Sequence, residues 1–311
     1  MSPVHTAIIA TGALLMASAV EAETAPPDRS AARAASFAEH RMQCAGKDGW
    51  SDPAPPIRIF ANVYDIGTCG ITVLLLTSDQ GAVVIDGATA EAVPSIVANI
   101  ERLGLKPSDV KLLLSTHEHR DHAAGLNGLR QRTGAKLLAT AASRAALETG
   151  ALARDDPQRK GDAPEFRGAP VSRIVRDGSV VRLGSVRLTA HATPGHAPGS
   201  TSWSWRSCDS SVCHDMVYAD SVSAVSADGY RFSDHPAYVE EFRASLAKIA
   251  ALPCDLIVTP HPAASALYER LAGMAPLSDR AACRTYAAAG REKFEQRLTD
   301  EFKTQPRQPA R

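Results

Sequence analysis

One stretch, "LLLSTHEHRDHAAG" from Leu112 to Gly125, constrains this chain more than any other: a leucine run that reads as a buried strand leads straight into His117, His119, Asp121 and His122. Side chains alternate along an extended segment, so His117, His119 and Asp121 are expected on one side, with His122 entering from the turn into the next helix. Neutral imidazoles and a carboxylate within such short reach suit a borderline cation such as Zn²⁺, whose ligand sets mix nitrogen and oxygen. Four ligands this crowded do not satisfy one tetrahedral ion, so two adjacent ions are expected. The leucines before them form the rigid strand that aims them.

Two further histidines stand in similar places. His196 lies in "TPGHAPGS", a Gly/Pro-punctuated loop after a strand, and His261 lies in "VTPHPA", again just past a strand. With the first cluster incomplete, both are expected as ligands. By contrast, His191 in the strand "LTAHATP", His214 and His235 in polar loops, and His40 are read as structural or surface groups.

The surrounding pattern is that of an α/β chain in two halves of similar content. Apolar runs in "IRIFANVYDIG", "ITVLLLTS", "GAVVIDG" and "KLLLS" read as strands, with a helix over Val93 to Leu103 started by Pro94 and stopped before Gly104. Helices are expected at Ala123–Thr133 and Ala141–Thr149. From Val171 the texture becomes short antiparallel strands, ending in "TSWSWRS" and "HDMVYADS" joined by a tip that contains Cys208 and Cys213. A helix over Ala237–Leu252, the strand "DLIVT" and a last helix over Ala281–Phe302 follow. Two packed sheets with helices outside account for this order. The Pro-rich segments at the front, "SDPAPPIRIF" included, and at the tail are expected as loosely ordered arms.

Lysine plus arginine (34) equals aspartate plus glutamate (34), which removes the electrostatic case for nucleic acid or an anionic membrane as partner. Small ligands fit better. The apolar stretch Ala7–Val20, followed by the small-residue pattern Val20-Glu21-Ala22, suits a secretory signal peptide over residues 1–22. The stretch is shorter than the roughly 20 apolar residues that span a bilayer, so no stable membrane association is expected after cleavage. Cys44, Cys69, Cys208, Cys213, Cys254 and Cys283 behind such a segment read as three disulfides in an oxidising compartment, the periplasm, with pairing open. None belongs to a CxxC pair, which argues against a cysteine-built zinc site.

The combination of HxHxDH, a "TPGH" histidine and a "TPHP" histidine resembles the metallo-β-lactamase superfamily, and "GTCGI", "VVIDG", "YADSVSA" and "ALPCD" bring the resemblance to subclass B3. It covers roughly Cys44 to Phe302. It implies a four-layer αβ/βα sandwich over 45–303, between an arm at 23–44 and a tail at 304–311. It implies one zinc on His117, His119 and His196 and a second on Asp121, His122 and His261. Disulfides are implied as Cys44–Cys69, Cys208–Cys213 and Cys254–Cys283.

The implied activity is hydrolysis of the β-lactam amide of penicillins, cephalosporins and carbapenems, conferring antibiotic resistance. A zinc-held hydroxide is the implied attacking group, oriented by Asp121. Ser221 and Ser223 are implied to hold the substrate carboxylate, Gln158 to line the groove, and Asp86 to sit beneath the metal loop and fix it. Asp220 is a tempting bridging carboxylate, as in glyoxalase II. Neighbouring side chains point oppositely along a strand, so Asp220 and Ser221 are not both expected to face the metals; the resemblance favours Ser221 inward and no bridging carboxylate. A monomer is expected. The competing readings are a thioester or lactone hydrolase of the same scaffold, a nuclease that lacks the basic patch it would need, and a non-catalytic zinc-binding protein.

Overall fold

The computed structural model describes Met1 and residues 34–303. The expected signal peptide, the front of the arm and the tail 304–311 lie outside the described residues. Seven strands form the first sheet, in the order β1 (Ile57–Phe60), β2 (Val63–Asp65), β3 (Leu74–Ser78), β4 (Gly81–Ile85), β5 (Val110–Leu114), β6 (Lys136–Ala139) and β7 (Arg173–Ile174). The second sheet runs β12 (Leu256–Val258), β11 (Val212–Tyr218), β10 (Thr201–Asp209), β9 (Val186–Ala192) and β8 (Val180–Leu183).

The central strands are apolar throughout because both of their faces are covered. Along β3 and β4, Leu74, Leu76, Val83 and Ile85 enter a core between the two sheets, shared with Trp203, Met216 and Leu256. Leu75, Ala82 and Val84 face the opposite way, into a core closed by Ile96, Val97 and Ile100 of α2 (Val93–Arg102) and Leu129 of α4 (Leu126–Thr133). A third core lies outside the second sheet, where Val217 and Ile257 meet Phe242 and Leu246 of α6 (Pro236–Ala251) and Phe294 of α8 (Ala282–Lys303). Helix, sheet, sheet, helix is the resulting layer order; α5 (Ala141–Thr149) and the short α7 (Leu267–Leu271) are further α-helices.

The single helix expected over Ala123–Thr133 is two helices, α3 (Arg120–Ala123) and α4. At Gly125 the backbone N–H donates to Ala88 O (3.0 Å) rather than to the preceding turn, and this contact breaks the helix. The front segment also departs from expectation. Phe37–Gln43 form α1, Ser36 caps it by accepting from Glu39 N, and Ala54, Pro55 and Pro56 are buried leading into β1. Prolines suit that edge position because they need no ladder donor.

The disulfides pair Cys44 with Cys69, Cys208 with Cys213 across the β10–β11 hairpin, and Cys254 with Cys283 at the start of α8. Among the described residues no helix is long and apolar enough to cross a membrane.

Candidate metal centre

β5 ends at Leu114, and the chain leaves the sheet edge through Ser115–His119 before α3 begins. Trp203 Nε1 donates to Ser115 O (3.0 Å), and Thr201 N donates to Thr116 O (2.7 Å), so the loop is tied to the second sheet as it exits. Asp86, at the end of β4, accepts from Thr116 N (2.7 Å), Thr116 Oγ1 (2.9 Å) and the Tyr218 hydroxyl (2.9 Å). Fully buried, it is raised to about 6 by burial, against the opposing pull of His122 and the Thr116 bonds. These bonds place His117 and His119 at the mouth between the sheets.

Donor atoms of His117, His119 and His196 lie within 4.8 Å of one another, and all three residues are buried. Each ring has one nitrogen pinned from behind. His117 Nδ1 donates to Asp220 Oδ1 (2.8 Å), His119 Nε2 to Asp156 Oδ2 (3.1 Å), and His196 Nδ1 to Ser223 O (2.9 Å). That leaves His117 Nε2, His119 Nδ1 and His196 Nε2 turned toward a common point, and His117 Nε2 is buried with no hydrogen-bond partner. An orphaned imidazole nitrogen beside two others is costly without a cation to bind it. Burial first, then the neighbouring imidazole charges, depress His117 and His196 well below the usual range, so both are neutral donors.

Beside this trio, Asp121 and His122 on α3 meet His261, which follows β12. His122 Nε2 lies 3.1 Å and His261 Nε2 3.3 Å from Asp121 Oδ2, and the two nitrogens are 3.3 Å apart. Burial pushes Asp121 up, but the His122 charge and the bonds from His122 and His261 outweigh it and hold the carboxyl well below its usual range. His122 is raised despite burial, chiefly by Asp121. A divalent cation displaces the proton such a cluster otherwise holds. His117, Asp121 and His122 also have donors within 4.8 Å of one another, so His117 adjoins both groups.

The family model for the metallo-beta-lactamase superfamily matches residues 66–261, a span that contains all six of these side chains. The chain belongs to the metallo-β-lactamase superfamily. Among solved structures, the superfamily member MIM-1 from Novosphingobium pentaromativorans is 46% identical, with a TM-score of 0.83 over 86% of this chain and 99% of its own. BJP-1, a subclass B3 metallo-β-lactamase of Bradyrhizobium japonicum, is 32% identical, with a TM-score of 0.75 over 83% of this chain and 98% of its own. Curated relatives match less of their length. A hydroxyacylglutathione hydrolase of Cereibacter sphaeroides is 28% identical over 60% of this chain and 64% of its own. For a probable metallo-hydrolase of Burkholderia pseudomallei the figures are 27%, 43% and 47%, so the chain spans about half to two thirds of these relatives. The protein is thus a superfamily hydrolase whose histidine and aspartate groups imply zinc.

Within this superfamily site, strand alternation does not govern position 220, yet Asp220 stands behind His117 and outside the clustered donors. β11 ends at Tyr218, so residues 219–221 are no longer an extended ladder with opposed faces. Asp220 turns its carboxylate onto His117, while Ser221 lines the adjacent cavity with His261. Asp220 is raised by burial, which imidazole charges and hydrogen bonds only partly offset. Ser223 differs from expectation in a second way: its Oγ lies 3.0 Å from His196 Nδ1, so it supports the imidazole as well as facing the cavity. Gln158 Nε2 lies 3.3 Å from both His119 Nδ1 and His196 Nε2, in a groove shared with Trp50, Arg120, Leu152, Lys160 and Glu165.

Sequence reasoning missed Asp156, the partner of His119, because an aspartate in a long polar loop carries no local signal. It missed Trp50 for the same reason, although its ring centroid lies 6.3 Å from that of His261. Glu118 was missed too, although its place between His117 and His119 was a local signal. It is buried, raised to about 7 mainly by burial, and accepts from Gly199 N (2.8 Å), joining the His119 and His196 loops. His191 Nε2 pairs with Ser204 Oγ (2.7 Å) and His235 stacks on Tyr230, both away from the metal ligands.

Proposed function

We propose that the protein is a periplasmic zinc β-lactamase, secreted through a cleaved signal peptide and monomeric, that opens the ring amide of penicillins, cephalosporins and carbapenems and so confers resistance to them. Two zinc ions are proposed per chain, one on His117, His119 and His196 and one on Asp121, His122 and His261. The observation that carries this reading is the near-complete coverage of solved metallo-β-lactamases by the chain, including MIM-1 and MIM-2. The three disulfides support an oxidising compartment.

Zinc held there supplies a Lewis acid that lowers the pKa of water toward about 7 and stabilises developing negative charge. The chain does the positioning. Asp121 shares Oδ2 with His122 and His261 and stays ionised, leaving Oδ1 to accept from the attacking water and set its approach. Asp220, Asp156 and Ser223 fix the ring orientations of His117, His119 and His196, and Asp86 holds Thr116 beneath them. Ser221 and Ser223 offer hydroxyls to a substrate carboxylate, and Gln158 lines the opposite arm of the groove. No side-chain nucleophile is required, so no covalent acyl-enzyme forms.

The matches to hydroxyacylglutathione hydrolases favour a second reading, thioester hydrolysis on the same scaffold. One experiment separates the two. The purified protein is expected to turn over a chromogenic cephalosporin, lose that activity to a chelator and regain it with zinc, while leaving a glutathione thioester intact. Turnover of the thioester alone puts the second reading in place of the first.

A further inference from the structure

The metal groups open on two sides, and the sides differ in charge. Toward Trp50 and Gln158 the wall carries Arg120 and Lys160 together with Asp121 and Glu165. Toward α8 lies a cavity of about 200 Å³ bounded by Ser221, Ser223, His261, Tyr286, Gly290 and Lys293, in which Lys293 is the single permanently charged side chain. Besides the His261 imidazole, the other polar side chains on that wall are the hydroxyls of Ser221, Ser223 and Tyr286.

The placement of Lys293 follows from how α8 packs on the chain after β11. Tyr286, Gly290 and Lys293 are spaced i, i+4 and i+7, so they share one helix face. Tyr286 donates from its hydroxyl to Asp220 O (3.0 Å). At Gly290 the helix comes so close that an added Cβ would lie 2.6 Å from Val222 Cγ2. With the first two turns pressed against Asp220 and Val222, the next turn brings Lys293 alongside Ser223.

Nothing nearby neutralises it. The positions three and four away along the helix are Ala289, Gly290, Gln296 and Arg297, and the neighbouring Glu295 is committed to Arg243 through two bonds (2.8 and 2.6 Å). Among the described residues no carboxylate pairs with Lys293. An exposed ammonium without a partner, at the edge of a cavity that opens on metal-ligand candidates, is a ready anion site.

We propose that Lys293 is the charged anchor for the carboxylate that a β-lactam carries beside its ring nitrogen, acting with the Ser221 hydroxyl. Ser223 contributes less than its position suggests because its oxygen also serves His196. The inference rests on the β-lactamase reading and deepens it: the α8 end of the groove selects anionic substrates and sets the direction in which they lie.

The test compares the zinc-loaded wild type with Lys293→Met and Lys293→Arg, on a cephalosporin acid and on its neutral methyl ester. Turnover of the acid by the wild type comes first, and its absence overturns the reading of the site itself. Given turnover, Lys293→Met is expected to raise KM for the acid about fivefold, with kcat nearly unchanged and the ester unaffected. Lys293→Arg is expected to retain the wild-type KM, and rising ionic strength to weaken the wild type more than Lys293→Met. Zinc content and Tm should match in all three proteins. An unchanged KM for the acid, or equal rises for acid and ester, overturns the anchor while leaving the β-lactamase reading intact.

Discussion

Asp220 Oδ1 accepts the Nδ1 proton of His117 at 2.8 Å, and both side chains are completely buried. That bond decides which nitrogen of His117 faces the cluster, because a neutral imidazole has one donor and one acceptor. Asp220→Asn is therefore expected to weaken metal binding by about 10- to 100-fold with little change in the fold. Competition with a chromogenic chelator measures it; unchanged affinity would show that packing alone orients His117.

The two ligand groups differ in exposure. His117, His119 and His196 are all buried, whereas the His261 side chain of the other group is 37% exposed just past β12. On the proposed two-zinc reading, His261→Ala is expected to lower bound zinc from about two ions per chain to about one, sparing the site on His117, His119 and His196. Metal analysis after dialysis checks this, and loss of all zinc would contradict it.

On α1, His40 is buried against Tyr268, with ring centroids 4.6 Å apart. Burial lowers it from 6.5 to about 4, so the native protein keeps it neutral while the unfolded chain takes up a proton below pH 6.5. Its contribution is intact above pH 6.5 and is lost as pH falls toward 4, by at most about 3 kcal/mol. Denaturant unfolding of wild type and His40→Phe should diverge across that window, the wild type losing more. Parallel curves would remove His40 from the acid response.

The Cys254–Cys283 bridge joins the β12 lead-in to α8 across 29 residues. Replacing both cysteines by serine is expected to cost about 3 kcal/mol, because the unfolded chain regains the entropy of that loop. Equilibrium unfolding without reductant reads the cost directly, and a loss well under 1 kcal/mol would mean that α8 packing alone holds the helix.

Much of the architecture was legible because its signals are local. The apolar β3, β4 and β5 runs announce a sheet covered on both faces, and Pro94 and Gly104 bracket α2 as they should. The split of α3 from α4 was not legible, since it depends on a backbone bond from Gly125 to Ala88 across the fold. Nor was the packing of Ala54–Pro56, because a proline-rich composition does not say whether an edge is there to receive it.

At the site, the same division holds for a physical reason. His117, His119, Asp121 and His122 crowd into six consecutive positions, so the sequence by itself determined that the chain concentrates metal-binding groups, and the Gly/Pro loops around His196 and His261 marked two more. Asp156 and Asp220 lie 37 and 103 residues from the imidazoles they hold, those of His119 and His117 respectively. Only the tertiary structure decided their roles. A hydrogen bond or a charge acts over a few ångströms of space, and sequence separation carries no record of that distance until the two sheets and α8 close upon one another.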